Sequence, residues 1–481
     1  MSDNPALTAA SEASRRTGTA FLPLCILEDY MTAGDPVFQF GYPSRYFLAR
    51  ALPAFAQNFT RFALVAGKAI QYFQTLNQTY DLIIYVNDDV YVDFYTQVEK
   101  LQMAGITVLV SEDALSVPKD TRSGEGNLYS VFTPFKKAVW QKFIQNRPLP
   151  SADQKGVTYL PEVELARMSN QVSLTTDAIE KTFSTKRSLH IDGLVIDLST
   201  LISLPTLGGW YVRESEAVAL FKQYLEGGDL DTYQINRNSL ELDAVGNGKT
   251  SKMSLALAWG LVSSRLLLAS MQKHWGETFD NPFSTRVSQG ALMYISELIW
   301  REFYRYQLYH HPELMETEFQ KKFQGTIKWL EGEEAMTRFR AWIKGETGYP
   351  VVDAAMHQIA ETGWMHNRSR MIVASILTKN LGVNWRWGQE YFRAALIDLD
   401  EASNCGGWQW GASVGADPKP IRIFNPELQA KNYDASGAYQ DHWLGGSSLL
   451  RGTTVPLIEH KLARAEALKR YGLSATQPRD Y

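Results

Sequence analysis

Only two cysteines, Cys25 and Cys405, occur among the 481 residues. That scarcity excludes a disulfide-stapled scaffold and any cysteine-ligated zinc or iron–sulfur centre, and no metal site is expected. Long apolar runs are missing as well. None approaches the roughly 18–20 residues that a membrane helix needs, so the chain is not expected to span a bilayer. Arg15 and Arg16 precede the apolar run Phe21 to Leu27, as in a twin-arginine export signal, but that run is short, holds Pro23 and ends in Glu28 and Asp29. A cytoplasmic location is therefore expected. A basic excess is absent too: with a formal net charge of −4, contact with a polyanion must rest on locally gathered Arg and Lys.

What remains, 45% hydrophobic and 21% charged, is the composition of a globular chain long enough for two or three domains. Apolar runs at Phe21 to Leu27, Phe62 to Val65, Leu82 to Val86 and Ile106 to Val110 alternate with amphipathic segments at Ser44 to Asn58, Lys68 to Asn77 and Val92 to Ala104. This predicts βα units on a doubly wound parallel sheet over residues 1–130. The chain opens on a helix start, with Asp3 and Asn4 as caps and Pro5 in the first turn, so that sheet is expected without its first strand. Residues 131–215 read as an irregular connector with short helices and few clear strands. Over residues 216–481 helical periodicity takes over, in Met253 to Gln272, Ala291 to His310, Val351 to Glu361 and Met365 to Lys379, predicting an all-α domain. No internal repeat or heptad array is present.

Tryptophan is plentiful, 13 residues concentrated in the second half. Glu297, Trp300, Arg301 and Tyr304 fall at i, i+3, i+4 and i+7, on one helix face. Asn367, Arg370 and Met371 share a side of another helix, and a buried Arg there requires an acid, for which Asp398 and Asp400 are candidates. The run Gly246-Asn-Gly-Lys-Thr-Ser251 looks like the end of a phosphate-binding loop, yet Asp243 stands where its first Gly belongs and no buried strand precedes it. Thr250, Ser251 and Ser254 at a helix start could hold a pyrophosphate, or serve as a plain cap. Asn404-Cys-Gly-Gly407-Trp408-Gln-Trp410 reads as a glycine-rich turn bracketed by indoles, where backbone or a flat ligand can approach closely.

Taken together, Trp-Arg-Glu-Phe-Tyr, Thr-Gly-Tyr-Pro-Val-Val-Asp-Ala-Ala-Met, Gly-Trp-Met-His-Asn-Arg, Asn-Trp-Arg-Trp-Gly and Asn-Cys-Gly-Gly-Trp-Gln-Trp resemble the photolyase and cryptochrome flavoproteins, most closely the class I cyclobutane pyrimidine dimer photolyases. The resemblance covers essentially all of the helical half and, more weakly, the βα half and Phe132-Thr-Pro-Phe135. It implies light-driven repair of dimers in ultraviolet-damaged DNA by electron transfer from reduced FAD to a flipped-out dimer, in a monomer. Such base flipping is a general property attributed to photolyases. A blue-light signalling cryptochrome without repair is the alternative.

By the same resemblance Tyr233, Thr250, Ser251, Lys252, Met253, Ser254, Tyr294, Asn367, Arg370, Asp398, Leu399, Asp400 and Asn404 contact FAD, the Thr250–Ser254 run at its pyrophosphate, with Asp398 and Asp400 flanking the ring and Asn404 beside it. Glu297, Trp300, Asn367, Met371 and Trp410 form the dimer pocket, and Arg237, Arg301 and Arg368 lie along DNA phosphates. Trp408, Trp385 and Trp329 form an electron-transfer chain. Tyr294 replaces a Trp, and Asn367 stands where the 6-4 photolyases carry His. Met315 and Glu316 replace the Cys-Lys pair of folate-binding members, and no acidic match is evident near Asn87 to Val92. A second, antenna chromophore of folate or deazaflavin type is left open. The family's first strand precedes the position where this chain begins, which favours a misassigned start.

Overall fold

The computed structural model describes residues 2–28, 41–183, 188–192, 194–199, 202, 210–241, 250–276, 287–416, 421–445 and 455–473. The first element is the expected helix, α1 (Pro5–Thr17): Asn4 Oδ1 accepts from the Leu7 amide at 2.9 Å and Gly18, at φ 70°, closes the far end. Strands β1 (Leu24–Leu27), β2 (Ala63–Ala66), β3 (Ile83–Asn87) and β4 (Thr107–Ser111) then alternate with α2 (Tyr42–Ala56), α3 (Ala69–Asn77) and α4 (Val92–Met103). β1 runs parallel to β2, and β3 parallel to β4. The expected sheet is thus present as two parallel pairs, and no strand among the described residues joins them. Helix α1 packs on β3 and β4, where Asn87 Oδ1 accepts from the Ala6 amide at 2.8 Å. Asp3, buried and at φ 55°, accepts from Arg265 Nε at 2.7 Å and so fastens the chain start to the helical region.

The connector is more ordered than its sequence suggests. It holds α5 (Phe132–Gln145), which buries Phe135, Val139, Trp140, Phe143 and Ile144 along one side, and two short helices, α6 (Glu162–Ala166) and α7 (Thr176–Thr182). It also contains one antiparallel hairpin, β5 (Ser188–Ile191) with β6 (Leu194–Asp197). Asp192 takes the left-handed φ of 47° that a two-residue turn demands, and the Asp-Gly dipeptide between apolar runs was the signal for it.

Thirteen helices complete the described chain: α8 (Glu214–Glu226), α9 (Tyr233–Asn236), α10 (Ser254–Ala258), α11 (Ser264–Trp275), α12 (Gln289–His310), α13 (Gly332–Lys344), α14 (Pro350–Thr362), α15 (Asn367–Ser375), α16 (Trp385–Ala395), α17 (Glu401–Gly411), α18 (Pro426–Tyr433), α19 (Ala438–Leu444) and α20 (His460–Arg470). The run expected as one helix over Met253 to Gln272 is split into α10 and α11. Gly260 turns at φ 66°, and Ser263 starts α11 by accepting from the Leu266 amide at 3.0 Å. Helix α15 begins at Asn367 and passes into a π-turn at Ile376–Asn380, whose residues are all buried. One continuous apolar core runs from Leu189 to Tyr471, and a second joins α2 and α5 to α8, α11 and α12. No described helix is long and apolar enough to cross a membrane.

Candidate functional site

Helix α12 crosses the helical region with Tyr294, Glu297, Leu298 and Arg301 on one side. Their spacing turns all four into a cavity of about 240 Å³. Its other walls are Tyr233, Arg237, the run Thr250 to Ser254, Leu257, the turn Trp364 to Asn367, Arg370 and Asp398. Thirteen residues singled out in the sequence therefore meet here: Tyr233, Arg237, Thr250, Ser251, Lys252, Met253, Ser254, Tyr294, Glu297, Arg301, Asn367, Arg370 and Asp398. Leu257, Leu298, Trp364, Met365 and His366 were not singled out. Leu298 follows Tyr294 by one helical turn, and Trp364 to His366 sit inside a motif already noted.

At one end, Arg370 Nη2 donates to both oxygens of Asp398, at 2.9 and 2.8 Å, and its Nε to the Met365 carbonyl at 2.8 Å. The Asp398 side chain is wholly buried, so this pairing satisfies the demand for an acid that Arg370 raised. At the other end lie hydroxyls. Ser251 Oγ and Tyr294 OH are 2.9 Å apart, and Trp364 Nε1 donates to Ser254 Oγ at 3.3 Å. Lys252 has a left-handed φ of 52°. Tyr211 OH holds its carbonyl at 2.7 Å, and its ammonium lies 5.2 Å over the Trp364 ring. Burial pushes the Tyr233 and Tyr294 phenols far above their ordinary range, so both remain neutral donors. Thr250 Oγ1 and Arg301 Nε are buried without a hydrogen-bond partner among the described residues.

Arg237 and Glu297 add charge to the lining, while Arg368 and Met371, expected beside them, do not line the cavity. Arg237 pairs with Glu297 and lies 5.4 Å over the Tyr233 ring. Arg368 donates to Asn238 Oδ1 at 2.7 Å and stacks 4.2 Å over Tyr433. Burial, with Arg237 nearby, lowers its pKa. Asn367 Nδ2 approaches Met371 Sδ at 3.8 Å, which places this pair side by side as their spacing requires.

Several expected residues do not line this cavity. Asp400, expected beside a flavin ring, caps α17 by accepting from the Ser403 amide at 2.9 Å, and takes Arg301 at 3.5 Å and Arg305 at 3.2 Å. Although burial opposes ionisation, those guanidiniums and the Ser403 bond hold its carboxyl below the ordinary value. Leu399 packs in the core. Asn404 is buried on α17 and donates to the Gln389 carbonyl at 3.1 Å, and its Oδ1 has no partner among the described residues. Arg301 does line the cavity, but its guanidinium turns to Asp400 and the Leu257 carbonyl rather than along an outer face. Trp300 stacks on Phe132 with centroids 3.6 Å apart and planes within 8°, while Trp410 packs edge-on to Phe424 at 6.3 Å, under Arg422. Trp408 is buried against Phe392 at 5.0 Å and Trp342 at 5.9 Å, in space that Gly388 leaves open. Trp385, fully buried, donates to Glu318 at 3.3 Å, and Trp329 meets Tyr471 edge-on at 6.1 Å. The Gly246 to Lys249 part of the phosphate-loop-like run lies outside the described residues.

Comparison with known proteins follows the same division. Residues 1–153 match the family described as DNA photolyase, and residues 294–475 match the FAD binding domain of DNA photolyase. A deoxyribodipyrimidine photo-lyase of Synechococcus sp. is 38% identical over 350 residues, 72% of this chain and 64% of that protein, which is less than two thirds of its length. The Salmonella typhimurium protein of the same name is 33% identical over 396 residues, 78% of this chain and 74% of that one. Among solved structures, a bacterial class III photolyase from Agrobacterium tumefaciens superposes with a TM-score of 0.78 at 27% identity, covering 98% of this chain and 94% of that one.

Proposed function

Because the chain belongs to the DNA photolyase family, we propose that it binds FAD and repairs cyclobutane pyrimidine dimers in ultraviolet-damaged DNA by light-driven electron transfer, as a cytoplasmic monomer. One observation carries this reading: a single cavity gathers a hydroxyl-and-lysine end, a buried Arg370–Asp398 pair and the Arg237–Glu297 pair. The orphaned Thr250 Oγ1 and Arg301 Nε support a polar ligand there, since buried donors and acceptors are almost always paired.

In this reading Thr250, Ser251, Lys252, Met253 and Ser254 hold the pyrophosphate, and Tyr233, Tyr294, Arg370, Asp398 and Asn367 shape the seat of the ring system. Leu399 and Asp400, just before α17, and Asn404 on it back that seat. When bound and reduced, FAD supplies the photoexcited electron that opens the dimer and is returned afterwards. The chain's own work is placement and charge. Glu297 faces the pyrimidine carbonyl edge and can hold or pass a proton there, and Arg237 keeps that carboxylate engaged until a substrate arrives. Trp300, Met371 and Trp410 give the dimer apolar walls, and Arg368 and Arg237 meet phosphates. Trp408, Trp385 and Trp329 carry electrons inward to keep the cofactor reduced.

The test uses anaerobically reduced protein and an oligonucleotide bearing one thymine dimer, with ultraviolet base absorbance followed in light and in darkness. Recovery only in light is expected. No recovery from protein that holds FAD and photoreduces it would replace repair with blue-light signalling.

A further inference from the structure

Helix α12 carries a second set of charges that begins at the cavity-lining Arg301 and runs one turn further along the helix to Arg305. Arg305 forks three ways: Nε donates to the Ala114 carbonyl at 2.6 Å, one Nη to Asp89 Oδ1 at 3.1 Å and the other to Asp400 Oδ2 at 3.2 Å. Glu302, wholly buried, accepts from the Ser116 amide at 2.6 Å and from Ser264 Oγ at 3.1 Å, and lies 3.6 Å from Arg301. Arg301 in turn reaches Asp400 at 3.5 Å. Two tethers thus leave the segment 113–116 and Asp89 of the N-terminal region, pass through neighbouring turns of α12, and converge on one carboxylate. That carboxylate caps the helix bearing Asn404 and Trp408. Guanidinium can make this fork and ammonium cannot, because only the former presents several fixed donors in a plane.

We propose that Arg305 is a positioning residue that couples the N-terminal α/β region to the first turn of α17, and through it sets where Asn404 stands toward the flavin. The second half of this statement rests on the FAD reading given above; the first half does not. Arg305→Gln should speed hydrogen exchange at the Ser403 and Asn404 amides at least tenfold relative to amides of α13. It should also shift the midpoint potential of bound flavin and slow its photoreduction severalfold, while Arg305→Lys recovers part of that rate. Asp89→Asn, at a half-exposed carboxylate that tolerates change, should move the same readings in the same direction by less. Should Arg305→Gln fail to fold, Arg305→Lys and Asp89→Asn give the same readings. A uniform fall in Tm, with Ser403 and Asn404 exchange and flavin potential unchanged, would reduce Arg305 to a structural residue and overturn the proposal. Unchanged readings in Asp89→Asn would remove the link to the N-terminal region. Protein that takes up no FAD yet shows the exchange effect would sink the flavin reading and leave the coupling standing.

Discussion

The two ends of this molecule solve the burial problem differently. The helical region encloses polar side chains of the charged type: Asp398, Arg370 and Lys379 sit inside or against an apolar core that runs unbroken from Leu189 to Tyr471. The outer α/β region has small separate clusters, around Leu64, around Val108 and around Val65. Its strands leave large side chains in water, with Ile83 at 54%, Leu109 at 44% and Val110 at 39% exposure. Buried charge needs a rigid, water-excluding frame to be held in one geometry; the helical region supplies a large one, and the α/β region a local one, where the buried Asp88 takes Lys119 and the Asp113 and Ala114 amides. The candidate site lies accordingly on that side, while Asp89 of the α/β region reaches Arg305 on the same helix that lines it.

The largest effect should come from breaking a charge pair inside the better frame. Asp398→Ala strands the Arg370 guanidinium, and loss of one partner of a buried pair costs about 3–5 kcal/mol. Chemical denaturation should show that drop, and FAD should fail to copurify. Packing comes next. Leu377→Ala, in the continuous core, should cost about 3–5 kcal/mol, whereas Leu101→Ala in a small cluster should fall near ~2 kcal/mol because its site can collapse. Equal costs would erase the contrast between the regions.

A pH effect sharpens it further. Burial drives the Lys379 amine down to about 7; its bond goes to the Gly411 carbonyl, and the charge nearby is another cation, Arg422. Between about pH 7 and the ordinary Lys value the unfolded chain binds the extra proton, so stability must rise with pH there, by at most about 1.4 kcal/mol per unit. Urea midpoints should climb from pH 7 to 9.5 in the native protein and stay flatter in Lys379→Met. Above about pH 10 the trend reverses, because buried Tyr391 keeps its proton in the fold while the unfolded phenol loses it. The smallest effect belongs to the α/β surface. Arg50→Ala removes an exposed 2.7 Å pair with Glu180, and loss of that pair should lower the unfolding free energy by less than about 1 kcal/mol in chemical denaturation.

Much of this division was legible before the fold was known. The βα alternation placed all four N-terminal strands, because a half-buried strand must show its apolar run locally. Helical spacing put Glu297 and Arg301 on one face, and the cost of a lone buried guanidinium demanded a carboxylate, met by Asp398. Partners from distant segments left no such trace. Trp300 stacks one face of its ring on Phe132 from the connector, a contact that no local spacing announces. Asp400 and Asp398 look alike in sequence. One reaches the cavity and the other caps α17, a choice made by Arg301 and Arg305 on α12. The hairpin at Asp192 was written in an Asp-Gly dipeptide amid proline-rich sequence that otherwise reads as loop.

The measurement that bears most directly on the account compares dimer repair by native protein and Glu297→Ala, both loaded with reduced FAD and illuminated at wavelengths where DNA does not absorb. Repair in the variant at least tenfold slower, with flavin photoreduction unchanged, is the expected result. Equal repair by the two proteins would contradict the placement of the reaction at Glu297 in this cavity.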